Sequence, residues 1–132
     1  MNRRARAGKE RGSVAVEFAL VVPLFLVLVT GGVHFADVLL TGHRLGEAVG
    51  LGARTAAVQN ASSATIRNLV RDRLGSASSR CPNLSVNVSR RSSGGVRFVE
   101  VDARCNYAPI FGAFGGLGPS TIREVAAMPV AF

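Results

Sequence analysis

Residues 13–36 read SVAVEFALVVPLFLVLVTGGVHFA, with Glu17 the single formal charge before Asp37. As a helix rising about 1.5 Å per residue, this run reaches roughly 36 Å, enough to cross a hydrocarbon core of about 30 Å. Buried helices of soluble domains seldom run so far without a polar face, so a membrane helix is expected. In front of it, residues 1–12 (MNRRARAGKERG) gather five basic side chains against Glu10. Lys/Arg-rich flanks stay cytoplasmic, which predicts a single pass through the cytoplasmic (inner) membrane, in contact with lipid. The chain from Asp37 onward is then expected outside the cytoplasm. A cleaved secretory signal is the competing reading of the apolar run. However, the run exceeds a usual signal core, and GVHFADVL at its end offers neither an A-x-A site nor a cysteine to accept lipid.

The total of 132 residues leaves room for one small domain beyond the anchor and excludes a large multidomain enzyme. A net charge of +8 ordinarily points to nucleic acid. Here half of that charge sits in residues 1–12, and the chain is 48% hydrophobic with no Trp and one Tyr. A stacking platform for bases is therefore poorly supplied, and no nucleic-acid partner is expected. The reading in segments is a basic leader over 1–12, a transmembrane and assembly helix over 13–36, and an extracytoplasmic α+β domain over 37–132.

Gly12-Ser13-Val14-Ala15-Val16-Glu17-Phe18 places a glycine, four residues and Glu-Phe at the head of the apolar helix. This motif resembles the processing site of a type IV prepilin. The wider stretch RGSVAVEFALVVPLFLVLVTG, with LGEAVGLGARTAAV after it, resembles the TadE-like family of minor pseudopilins. Those proteins serve Tad (Flp-type) pilus and secretion machines. The resemblance covers roughly residues 11–58. It implies cleavage after Gly12 by a membrane-embedded aspartyl prepilin peptidase, with Ser13 as the mature N-terminus and Glu17 as its fifth residue. It also implies other pilins or pseudopilins, and the Tad inner-membrane machinery, as partners. In one departure, family members often carry an acidic and a basic residue near the positions of His34 and Asp37, to which the sequence assigns no role.

The motif has a physical logic. Gly12 lacks a Cβ, so a protease can approach its backbone closely. Glu17 lies about one turn into the bilayer, where a lone carboxylate costs roughly 2.5–3.5 kcal/mol. By the resemblance, its partner is a pilin amine, which draws the helix into an assembly. A Glu snorkelling to the headgroups is the plainer alternative.

Pro23 and Gly31-Gly32 interrupt the span, a feature that membrane helices tolerate, usually with a kink. Gly42, Gly46 and Gly50 then fall four apart, on one face that permits close helix–helix approach, unless the segment is a frayed linker. Leu39, Leu40, Val49, Ala53, Ala56 and Ala57 keep a helical rhythm, extending the helix to about Gln59. Its packing partner is either the domain's own sheet or another pseudopilin. A second helix is expected over 62–74, capped by Ser62 or Ser63, striped by Ile66, Leu69, Val70 and Leu74, and ended by Gly75. Residues 76–79 read as a turn.

The apolar period then changes to two. Leu84, Val86 and Val88 alternate with polar residues, as do Val99, Val101 and Ala103, around a loop at 91–95. This predicts a hairpin with one buried face and Val86 opposite Val99 or Val101. Either register brings Cys81 and Cys105 within a residue or so of opposition, and an extracytoplasmic domain permits a disulfide. Closing that loop of about 25 residues is worth roughly 3.5 kcal/mol in the chain-entropy account. Two free thiols, or half a metal site, are the alternatives. The stretch 108–119 (APIFGAFGGLGP) reads as irregular, either tucked under the sheet or offered to a partner, with tucking preferred. A last strand over 120–128 makes at least three.

Chemistry finds little to use. His34 and His43 lie in or beside the membrane helix without a nucleophile at a working spacing, and Asp37 beside His34 reads as a polar contact. The glycines at 112–118 lack the Lys-Ser/Thr of a phosphate loop. No enzymatic activity, cofactor or metal is expected. Two functional classes remain: a processed minor pseudopilin, or an uncleaved, single-pass anchored binding or sensor protein of the envelope.

Overall fold

The computed structural model describes residues 3–109 and 120–130. Their order is α1 (Arg3–Gln59), α2 (Ser63–Leu74), a 3-10 helix (Gly75–Arg80), β1 (Ser85–Ser93), β2 (Val96–Tyr107) and β3 (Ser120–Pro129). The fold is α+β: a long N-terminal apolar helix, a second helix and a three-stranded antiparallel sheet in the order β1-β2-β3. The chain divides into two compact units, Met1–Phe35 and Ala36–Phe132.

Helix α1 ends at Gln59 as its periodicity predicts, and the helical backbone runs through Pro23 and Gly31-Gly32. It starts at Arg3 rather than near Ser13, because residues such as Arg, Ala, Lys and Glu in the leader are good helix formers. Ser62 caps α2 by accepting from the Thr65 N–H, and Gly75 closes it with a positive φ of 52°. In place of the expected turn, residues Gly75–Arg80 form a 3-10 helix.

The hairpin departs from expectation in two ways. Its turn is only Gly94-Gly95, with φ of 59° and 80°, so Ser93 pairs directly with Val96. Positive φ at both central positions is the type I′ geometry that suits the twist of the flanking strands and favours glycine. That turn fixes the register two residues away from expectation: Val86 faces Ala103, and Val88 faces Val101. Strand parity is as predicted, so the apolar face remains the buried one. The last strand starts at Ser120 and pairs with β2, placing Val101 opposite Ala126 and Val99 opposite Met128. The expected tucking of 108–119 falls largely on residues 110–119, outside the described residues.

Within the unit Ala36–Phe132, the core joins one face of α1 (Leu45, Ala48, Val49, Ala53, Ala56) to Ile66, Val70 and Leu74 of α2. Val86, Val99, Val101, Ala103 and Cys105 supply the sheet's contribution. Each fully buried Val, Leu or Ile stabilises by about 1.5–3 kcal/mol. Small residues on α1 allow the close approach: a Cβ on Gly52 would stand 3.1 Å from Val70 Cγ2 and 3.2 Å from Ile66 Cγ2.

Candidate functional site

Gly12, Ser13, Glu17 and Phe18 all lie on α1 and are exposed. A Cβ built on Gly12 meets nothing within 4 Å, so the backbone there is open to approach. Around and beyond them the helix is bare apolar surface: Phe18 is 69% exposed, Leu20 73% and Leu28 66%. The helix Gly12–Gln59 contains a window with mean hydropathy 2.4, of which 0% is buried. In water, every such side chain forgoes about 1.5–3 kcal/mol of burial. This single apolar helix is a candidate membrane anchor.

The other unit is clasped at one end. Cys81 and Cys105 form a disulfide, with Cα atoms 5.1 Å apart. They do not meet by strand opposition, since Cys81 precedes the ladder and a turn at 82–83 brings it back over β2. The Ala108 N–H donates to the Arg80 carbonyl at 2.9 Å, tying the same two segments. Beside the disulfide, buried Tyr107 donates its hydroxyl to Asp37 Oδ2, and Arg80 Nε stands 3.5 Å from that oxygen. Burial first, and then the bond to the Asp37 carboxylate, push the Tyr107 phenol up to about 12. Asp37 also holds α1 locally, its carbonyl accepting from Thr41 Oγ1 at 2.8 Å.

A Cβ on Gly46 would lie 3.6 Å from Glu124 Oε2 of β3, whereas Gly42 and Gly50 face open space. Close approach within the chain falls instead at Gly52. Gly42 and Gly46 line a groove of about 570 Å³ between α1 and β3, with Val38, Leu39, Ile122 and Glu124. His43 and Glu47 stand at its rim.

On the opposite face of the sheet, Asp102 gathers two arginines. Arg123 donates to Asp102 Oδ1 at 3.1 Å and to Oδ2 at 2.9 Å, and Arg104 Nη2 reaches Oδ2 at 3.1 Å. These hydrogen bonds, Arg123 first, hold the Asp102 carboxyl down at about 2.

Sequence reasoning placed Asp37 beside His34 as a polar contact and passed over Arg80, Tyr107 and Gly52. Asp37, Arg80 and Tyr107 meet across up to 70 residues of chain, a pairing that no local pattern carries. Gly52 did leave a signal: it falls in the buried rhythm of Leu45, Ala48, Val49, Ala53 and Ala56, off the row of Gly42, Gly46 and Gly50.

Comparison with known proteins adds a family. Residues 12–54 match the family described as TadE-like protein. The match begins at Gly12, includes Glu17, Phe18 and the glycine row, and ends before α2. No curated protein and no solved structure matches the chain.

Proposed function

We propose, on the premise that residues 12–54 are TadE-like and so imply a Tad pilus-related protein, that this chain is a minor pseudopilin. In this reading a prepilin peptidase cleaves after Gly12, and residues 1–12 remain cytoplasmic as the removed leader. Ser13 becomes the N-terminus, and residues 37–132 lie outside the membrane. The observation that carries the reading is the coincidence of three features at one point. The family match starts at Gly12, an apolar exposed helix follows, and Glu17 is the lone carboxylate of residues 13–36. A carboxylate held in hydrocarbon is stabilised by a cationic partner, and the amine freed at Ser13 supplies one in the same or a neighbouring subunit. Glu17 and Phe18 would thus serve assembly with other pilins and with the Tad inner-membrane machinery, while Gly42, Gly46 and Gly50 serve helix packing.

Mass analysis or Edman sequencing of the membrane-extracted protein tests the reading: Ser13 should come first. An intact Met1 or Asn2 in cells with active prepilin peptidase would overturn it. Glu17→Ala should leave cleavage largely intact yet impair assembly, and normal pili in that variant would refute the role given to Glu17.

A further inference from the structure

The sheet face that packs on the helices changes character at its hairpin end. Alternation along β1 continues Val86 and Val88 into Arg90 and Ser92, and along β2 it continues Val101 and Val99 back into Arg97. Helix α1 has ended there: Gln59 is its last residue, and Asn60 turns the chain with a φ of 48°. Between Asn60 and this end of the sheet lies a cavity of about 260 Å³ whose lining includes Arg90, Arg91, Ser92 and Arg97. No acidic residue lines it.

Strand register brings two of these cations together. Ser92 faces Arg97 directly and Arg90 faces Val99, so Arg90 and Arg97 are diagonal neighbours on one face, about 7–8 Å apart. Long side chains at that spacing can converge on one point. Arg91 is turned to the other face, where Glu100 stands 3.8 Å away. On that face Arg104 and Arg123 also share a carboxylate, that of Asp102. At the cavity, by contrast, Arg90 donates to the Ala61 carbonyl at 2.8 Å, a neutral partner. Guarding an exposed edge would account for Arg90, because β1 is an edge strand, but not for Arg97 on the central β2. Like charges so placed on one face are destabilising until an anion lies between them.

We propose that this cavity binds a phosphoryl group, free or carried as an ester. Arg90 and Arg97 supply guanidinium forks, and the Ser92 hydroxyl and Asn60 amide supply neutral donors. A carboxylate brings one charge and two oxygens, which a single guanidinium fork already satisfies. A phosphate monoester brings three acceptor oxygens and close to two charges, matching two forks that approach from different strands. The cavity falls below the roughly 300–1,000 Å³ of pockets for drug-sized ligands, so it holds the phosphoryl group and little beyond it.

The test is calorimetric titration of the full chain in nonionic detergent micelles with inorganic phosphate, glycerol 3-phosphate and acetate. Both phosphates should bind, and acetate about tenfold or more weakly. Tighter binding of glycerol 3-phosphate assigns an esterified source and tighter binding of inorganic phosphate a free one; both support the site. Arg90→Gln with Arg97→Gln should weaken phosphate binding about tenfold or more. Arg73→Gln with Arg104→Gln, which removes the same charge from exposed positions outside the cavity, should change it less than about twofold. Arg97→Lys keeps the charge but loses the fork, and should weaken binding severalfold. Circular dichroism and retention of the Cys81–Cys105 disulfide identify the folded variants. No saturation by about 10 mM phosphate would overturn the proposal. So would equal losses in the two double variants, the pattern of diffuse charge attraction, or acetate binding as tightly as phosphate.

Discussion

Tyr107 is the single tyrosine in a chain without tryptophan, so its tyrosinate ultraviolet absorbance reports one phenol without ambiguity. That phenol is fully buried, donates to Asp37 and is pushed up to about 12. Against an ordinary value of 10, two units correspond to about 3 kcal/mol favouring the protonated form in the folded state. A raised folded pKa means that this contribution is whole below pH 10 and is lost as pH rises from 10 toward 12. The perturbation is Asp37→Asn, which removes the carboxylate charge and keeps the side chain's shape. Because burial is the larger cause, the phenol should titrate below its wild-type midpoint yet still above 10. The assay is a rapid spectrophotometric titration of both proteins, with circular dichroism following the sheet at each pH. A wild-type midpoint near 10 with the sheet intact would refute the buried clasp. Identical midpoints in wild type and Asp37→Asn would refute the part given to Asp37.

Two substitutions on α1 should have opposite signs. Gly50→Ala meets open space and should raise stability by up to about 1 kcal/mol through helix propensity, read as a higher Tm of the Ala36–Phe132 unit. Gly52→Leu drives atoms into Val70 and Ile66 and should cost about 1–3 kcal/mol by the same measurement. Cys81→Ser with Cys105→Ser should lower stability by about 2–5 kcal/mol in denaturant titration, and an unchanged midpoint would show that the crosslink constrains nothing.

The elements were legible where one local signal sufficed. Apolar rhythm carried α1 to Gln59, Ser62 and Gly75 bounded α2, and the end of the Gly- and Pro-rich stretch left β3 to start at Ser120. The hairpin register was not found, because Val86 and Val88 fit Val99, Val101 or Ala103 with the same face buried: parity sets the face and leaves the offset open. The offset was written in Gly94-Gly95, which as a two-residue turn forces Ser93 against Val96. For the candidate site, the motif from Gly12 to Phe18 is contiguous, so its resemblance is visible in the sequence, and the family match begins at the same glycine. The Asp37–Tyr107 pairing is not visible there, since Asp37 belongs to a helical rhythm and Tyr107 to a strand, and only the tertiary fold joins them.

The clasp sits beside a core of mostly small side chains. Among the described residues, no Phe or Met is buried, and alanines and valines make up much of the core. A small side chain brings less apolar area out of water, and at about 25 cal/mol per Å² such a core leaves a narrow margin over chain entropy. The crosslinks of this unit gather in one place. Arg80 and Cys81 are neighbours, as are Cys105 and Tyr107 on the same buried face of β2, so one short segment carries the disulfide, the Arg80–Asp37 ion pair and the Arg80 carbonyl bond to Ala108. These links close on Asp37, at the start of the Ala36–Phe132 unit. At the other end, β1 is exposed from Arg91 to its turn, with Arg90 reaching back to the Ala61 carbonyl. Chain ends of a compact unit are its first places to fray, and the start of the Ala36–Phe132 unit is where the disulfide, the ion pair and the Tyr107–Asp37 bond gather.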